Sequence, residues 1–263
     1  MDNILEVRGL KVHFPVKKGV LARTVGYVKA VDDVSFTLRR GETLGVVGES
    51  GCGKSTTSRA ILGLVQPCGG EIVFDGRNVD DWDPLDYHRR VQVVFQDPMA
   101  SLNPRHTVRE TLTEGMIWHS LCTKAEARAK AAELLSRVGL PESFLDRYPH
   151  EFSGGQRQRI CIARAIALKP ELLICDEAVS ALDLSIRAQV LDLLQELKEK
   201  LNLSFLFITH DIGVVQHVAD RILVMNRGRV VEAGPTEDVL GRPKEEYTRK
   251  LMAAVPRIGK RSD

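Results

Sequence analysis

The stretch Gly48-Glu-Ser-Gly-Cys-Gly-Lys54-Ser55 constrains this chain more than any other. It matches G-x-x-x-x-G-K-[ST] in full, follows the apolar run Thr43 to Val47, and opens a helical pattern from Lys54 to Leu64. A strand, a glycine-rich turn and a helix in that order form a phosphate-binding loop. The glycines let the backbone turn so that successive N–H groups face phosphate oxygens. The helix start adds the positive end of its dipole. Gly48, Glu49, Ser50, Gly51, Cys52, Gly53, Lys54, Ser55 and Thr56 are therefore the expected nucleotide-binding residues. Lys54 is expected to reach the β- and γ-phosphates, and the Ser55 hydroxyl to hold Mg²⁺.

Mg²⁺ on phosphates calls for a second acidic holder at the end of a buried strand. Leu172-Leu-Ile-Cys-Asp176 supplies one, and Glu177 follows at once. Asp176 suits the metal, while Glu177 suits a general base that polarises the attacking water. Alone, an apolar strand ending in Asp-Glu would read as a solvated turn. Beside a phosphate loop it becomes the expected catalytic centre.

The rest of the chain alternates short apolar runs with amphipathic helical stretches, an α/β pattern. Val34 to Leu38, Glu71 to Phe74 and Val91 to Phe95 read as strands, with Arg229 to Glu232 as a last edge strand. Leu172 to Cys175, Phe205 to Ile208 and Ile222 to Met225 are near-continuous apolar runs, as in parallel strands buried on both faces. Strand signals vanish between Asp97 and Glu151, which predicts a helical insertion. Within it, Ala125, Ala129, Ala132, Leu135 and Val138 fall near helical spacing. Ser185 to Leu201 is a second amphipathic helix, with Ile186, Val190, Leu194, Leu197 and Leu201 on one face. Lys17 to Gly26 reads as a loop interrupting the N-terminal strands, and residues 256–263 as a basic tail.

Composition narrows the function classes. Lys and Arg total 37 against 35 Asp and Glu, so no all-over basic grip on nucleic acid is expected. No run approaches the roughly 20 apolar residues of a spanning helix, and the first residues lack a signal-peptide pattern. Cys52, Cys68, Cys122, Cys161 and Cys175 are scattered, which predicts reduced thiols and no metal cluster.

Between the loop and the acidic pair lies Phe152-Ser153-Gly154-Gly155-Gln156-Arg157-Gln158-Arg159. With it the chain resembles the ATP-binding cassette (ABC) ATPases, whose signature is Ser-Gly-Gly-Gln just before a helix. The other marks of that family stand in order: Gln96 after Val91 to Phe95, Ser180-Ala-Leu-Asp183 after Glu177, and His210 after Phe205 to Ile208. The likeness covers about residues 4 to 255. It implies a P-loop NTPase (RecA-like) α/β core with an N-terminal antiparallel β subdomain and an inserted α-helical subdomain of about residues 97–158, within one domain of residues 1–255. It also implies ATP sandwiched between the phosphate loop of one subunit and the signature of a second. Ser153, Gly154, Gly155 and Gln156 would then face the partner's nucleotide, and Asp183 the dimer interface. Gln96 would coordinate Mg²⁺ or the lytic water, and His210 would bond the γ-phosphate. Phe14 is the first choice for stacking on adenine, with Tyr27 in reserve.

A narrower resemblance lies in Gln96-Asp-Pro-Met-Ala-Ser-Leu-Asn-Pro-Arg105 and Val179-Ser-Ala-Leu-Asp-Leu-Ser-Ile-Arg-Ala-Gln189, which look like the bacterial importers of dipeptides, oligopeptides and nickel. It implies a second ATPase partner, with a homodimer also compatible, two membrane permease subunits and, indirectly, a substrate-binding protein. The place implied is the cytoplasmic face of the inner membrane. The helical insertion would receive the permease, with residues near Met99 to Arg109 lining the docking groove. No cysteine follows Cys175, so no C-terminal iron–sulfur centre is expected. Ala178-Val179 replaces the Pro-Thr of many relatives. A soluble cassette of DNA repair or translation is the alternative, but no heptad run or cysteine pair favours it.

Overall fold

The computed structural model describes residues 2–18 and 23–253. Strands β1 (Asn3–Lys18), β2 (Arg23–Arg39) and β3 (Thr43–Val47) precede helix α1 (Lys54–Ile61). Next come β4 (Gly69–Phe74), β5 (Arg77–Asn78), α2 (Pro84–Arg90) and β6 (Val91–Phe95). Helices α3 (Pro98–Ser101), α4 (Val108–Trp118), α5 (Ala127–Arg137) and α6 (Gly154–Ala167) follow without an intervening strand. Then β7 (Leu172–Asp176), α7 (Leu184–Leu201), β8 (Ser204–Ile208) and α8 (Ile212–Val218) alternate. Last are β9 (Arg221–Asn226), β10 (Arg229–Pro235), α9 (Thr236–Gly241) and α10 (Glu246–Ala253).

The chain divides into two compact units. One comprises residues 1–5, 38–42 and 73–206; the other comprises 6–37, 43–72 and 207 onward. In the first, β6 pairs in parallel with β7 from Val91↔Leu172 to Phe95↔Asp176. Every residue of β7 is buried, which is why its sequence lacks alternation. Helix α4 packs on α5 and α6 through Val108, Leu112 and Met116. Two Thr-x-x-Glu sequences start this helical region. Thr107 and Glu110 close a capping box at α4, and Thr123 and Glu126 exchange the same bonds just before α5. A polar ring ties the unit's edge: Glu171 accepts from Arg90 (2.5 Å) and Arg40 (2.9 Å), and Asp75 accepts from both arginines.

In the second unit, β3 pairs in parallel with β9 (Leu44↔Arg221 to Val47↔Val224), and β9 pairs antiparallel with β10. Val47, Val215, Ile222, Val224 and Val239 form a buried cluster, against which Tyr247 and Leu251 of α10 pack. Strands β2, β1 and β4 lie side by side.

Two expectations need correction. The Lys17–Gly26 loop is strand at both ends: β1 continues to Lys18 and β2 begins at Arg23. Thr24, Val25, Tyr27 and Val28 favour strand strongly enough to outweigh Gly26. Residues 19–22 of that loop, and the basic tail 256–263, lie outside the described residues. The buried face of α5 is Ala127, Ala131, Leu134 and Leu135, while Ala125 and Ala129 are exposed. Alanine marks either face weakly, and the Thr123–Glu126 capping pair sets where the helix begins.

Candidate active site

The phosphate loop follows β3 in the second unit. Gly48 and Gly53 sit at φ +152° and +108°. A Cβ on Gly48 would come within 2.2 Å of the Met225 carbonyl oxygen, and one on Gly53 within 2.3 Å of the Ala30 carbonyl oxygen. Both turns are therefore closed to any side chain. The loop is held from below by backbone bonds: Gly228 N–H donates to Cys52 O, and Asp32 N–H to Gly228 O, each at 2.8 Å. The Asp32 carboxylate receives Arg229 (2.7 Å) and contacts His13 and Lys29. The Arg229 hydrogen bond, helped by Lys29 and His13, holds that carboxyl at about 2.

Lys54 is buried, and its ammonium donates to the Gly48 carbonyl (2.7 Å) and the Glu49 carbonyl (2.8 Å). No side chain caps the start of α1 and no acidic residue occupies its first turn, which leaves the helix end electropositive. The Glu49 N–H donates to Tyr247 Oη at 3.1 Å. Sequence patterns gave no hint of Gly228, Asp32 or Tyr247 at this loop. His210 is brought to the loop's side, because Thr209 N–H donates to Val46 O at 3.1 Å and the two strand ends run together. Asp211, next to it, caps α8 by accepting the Gly213 N–H at 2.9 Å. Phe14 on β1 and Tyr27 on β2 are both exposed, so each aromatic face is accessible.

In the first unit the parallel register places Phe95 opposite Asp176. Gln96 and Glu177 thus leave adjacent strands at the same end. Asp176 is buried, Gln96 exposed and Glu177 intermediate. Glu177 has φ +52°, a left-handed conformation that a glutamate adopts only under constraint. Below it, burial pushes the Cys175 thiol far above its ordinary range, so it packs as an apolar group.

The signature opens α6. Ser153 Oγ accepts the Gln156 N–H (3.3 Å), and Gln156 Oε1 accepts the Ser153 N–H (3.0 Å), a complete capping box. The helix therefore begins at Gly154. Asp183 is exposed at the start of α7.

A surface groove of about 410 Å³ lies in the same unit, lined by Gln92, Thr111, Leu112, Met116, Trp118 and Leu168 among others. Trp118 is 75% exposed, and the Thr111 hydroxyl is buried without a hydrogen-bond partner. None of residues 99–109 lines this groove, and Leu102 within that range is buried. Met99, in the same range, is exposed, and α3 lies against α6. No described helix is long and apolar enough to cross a membrane.

Residues 31–180 match the family described as ABC transporter. The oligopeptide transport ATP-binding protein AppF of Bacillus subtilis is 50% identical over 99% of this chain and 80% of its own length. The glutathione import ATP-binding protein GsiA of Escherichia coli (strain K12) is 52% identical over 97% of this chain, which spans 41% of that relative's length. Among solved structures, cbiO1 from Clostridium perfringens, part of the ABC transporter complex cbiONQ, matches with a TM-score of 0.79 at 28% identity over 98% of both chains. An ATP-binding cassette solved as a dimer in a post-hydrolysis state with ADP and Pi matches with a TM-score of 0.75 at 28% identity, over 88% of this chain and 98% of its own.

Proposed function

This chain belongs to the ABC transporter family and is one of its ATPases, and from that premise we propose that it powers the uptake of small peptides through partner membrane subunits of a bacterial importer. The observation that carries this reading is the likeness to the oligopeptide transport protein, which runs through 99% of this chain. The glutathione importer relative points to the same solute class, since glutathione is itself a short peptide.

ATP would bind with its phosphates on the loop Gly48–Thr56, where N–H groups, the Lys54 ammonium and the α1 dipole offer positive charge. Phe14, or Tyr27 in its place, would stack on adenine. Glu177 would take a proton from the attacking water, and His210 would hydrogen-bond the γ-phosphate. The oxygens of Ser55, Asp176 and Gln96 suit a hard cation, so these residues would hold Mg²⁺. That ion would neutralise phosphate charge.

A second ATPase subunit would complete each site with Ser153, Gly154, Gly155 and Gln156, and Asp183 would lie at that contact. The capping box is in keeping with this role: it starts α6 at Gly154 and so sets an electropositive helix end at the signature. The solved dimer of a related cassette is in keeping with such pairing. The Trp118 groove would receive a permease segment at the cytoplasmic face of the inner membrane, and a substrate-binding protein would select the solute. Exposed aromatic surface of this kind is what a docked helix covers.

Tagged Glu177→Gln protein, purified from its own host in ATP and mild detergent, tests the whole reading. Recovery of two multi-span membrane proteins, lost when Trp118→Glu is added, supports it. Recovery of ribosomes or nucleic acid instead would overturn it in favour of a soluble cassette.

A further inference from the structure

The C-terminal helix α10 reaches the phosphate loop. Tyr247 Oη accepts the Glu49 N–H at 3.1 Å, across 198 residues of sequence, while Lys54 Nζ donates to the Gly48 carbonyl at 2.7 Å. Those two bonds fall on the N–H and C=O of one peptide group, the one joining Gly48 to Glu49. A trans peptide points these groups in opposite directions. The peptide is thus gripped from both sides, by the loop's own lysine and by a tyrosine near the end of the chain. Such a grip has a purpose, because Gly48 lacks a Cβ and a glycine's peptide rotates more freely than that of other residues.

The tyrosine is itself held in place. Its ring packs against the cluster containing Val47, the residue immediately before the loop. The approach of α10 is set by Glu232 on β10, whose carboxylate accepts the N–H groups of Lys244 (2.9 Å) and Glu245 (3.2 Å). Ring, helix and loop therefore share one support. Partial burial pushes the phenol's pKa up, so the hydroxyl is neutral at neutral pH.

We propose that Tyr247 is a positioning residue for ATP binding: its hydroxyl fixes the Gly48–Glu49 peptide in the orientation that receives the phosphates. It touches no reacting atom and acts through the loop alone. Without it the loop samples other orientations, and apparent affinity falls by the fraction of time spent in them. This inference rests on the assignment of the loop to ATP.

The test is Tyr247→Phe, which keeps the ring and its packing but removes the acceptor. Full-length wild-type and variant proteins are titrated with ATP by calorimetry, and steady-state hydrolysis is followed in parallel. The expected result is a dissociation constant and KM raised about three- to tenfold, the usual worth of one hydrogen bond. kcat at saturating ATP should stay within about twofold, and the melting temperature should be unchanged. Leu251→Ala serves as the packing control: it should lower the melting temperature more than Tyr247→Phe while shifting ATP affinity less. An unaltered dissociation constant in Tyr247→Phe would overturn the inference while leaving the ATPase reading intact. A wild-type chain that bound no ATP would overturn both.

Discussion

Phe95 and Asp176 stand opposite each other in the parallel register of β6 and β7. The residues that follow them, Gln96 and Glu177, consequently emerge side by side although 81 positions separate them in the sequence. An amide and a carboxylate at one strand-pair end can share a single water or metal ion. The left-handed backbone at Glu177 turns the chain sharply there.

Glu177→Gln keeps the shape and the buried Asp176 but removes the proposed base. ATP affinity should remain within a few-fold of wild type, while kcat falls by about 10²- to 10⁴-fold. Binding titration and a phosphate-release assay on the same preparation check both halves. A fall in affinity matching the fall in kcat would assign Glu177 to binding.

Lys54→Ala removes the buried ammonium that lies over the Gly48 and Glu49 carbonyls. Loss of this charge should weaken ATP binding by at least about 10²-fold. The fold should survive, because the hydrogen bonds of Lys54 among the described residues stay within its own loop. Circular dichroism and fluorescent-nucleotide binding distinguish this outcome from unfolding.

Gly53→Ala forces a side chain against the Ala30 carbonyl at φ +108°. The strain should cost about 1–3 kcal/mol, read as a melting temperature lowered by several degrees. The same variant should bind ATP weakly, because the loop must shift to make room. Gly51→Ala provides the comparison: its Cβ would meet nothing, although its φ is also positive.

Asp32 links the loop's support to acid stability. Its folded value of about 2 lies below the ordinary aspartate value of about 3.9. The carboxylate therefore contributes stability that is fully present above about pH 4 and is lost as the pH falls toward about 2. Asp32→Asn should be less stable than wild type at pH 7, and the gap should close through that window. Thermal melts of both proteins from pH 7 to pH 2 provide the check.

The loop, the strands Thr43–Val47 and Val91–Phe95, and the acidic strand end coincide with their sequence patterns residue for residue. Each rests on contiguous spacing: glycines at fixed offsets, or an apolar run as long as a buried strand. The Ser153–Gln156 capping box is local in the same way, since both partners lie within four consecutive residues. The α5 face was not, because alanine alternates between faces without cost.

What only the tertiary structure decided is which distant residues close on these local pieces. Tyr247 on the Glu49 N–H and Arg229 on Asp32 lie 198 and 197 positions from their partners. Gln96 beside Glu177 depends on strand pairing. No periodicity encodes such meetings, since each follows from sheet register and from the packing of α10 on a shared apolar cluster. The sequence by itself determined the phosphate loop and its chemistry, because those need only neighbours along the chain. The hold on that loop needed the fold, because hydrogen bonds between remote segments exist only once burial has brought those segments together.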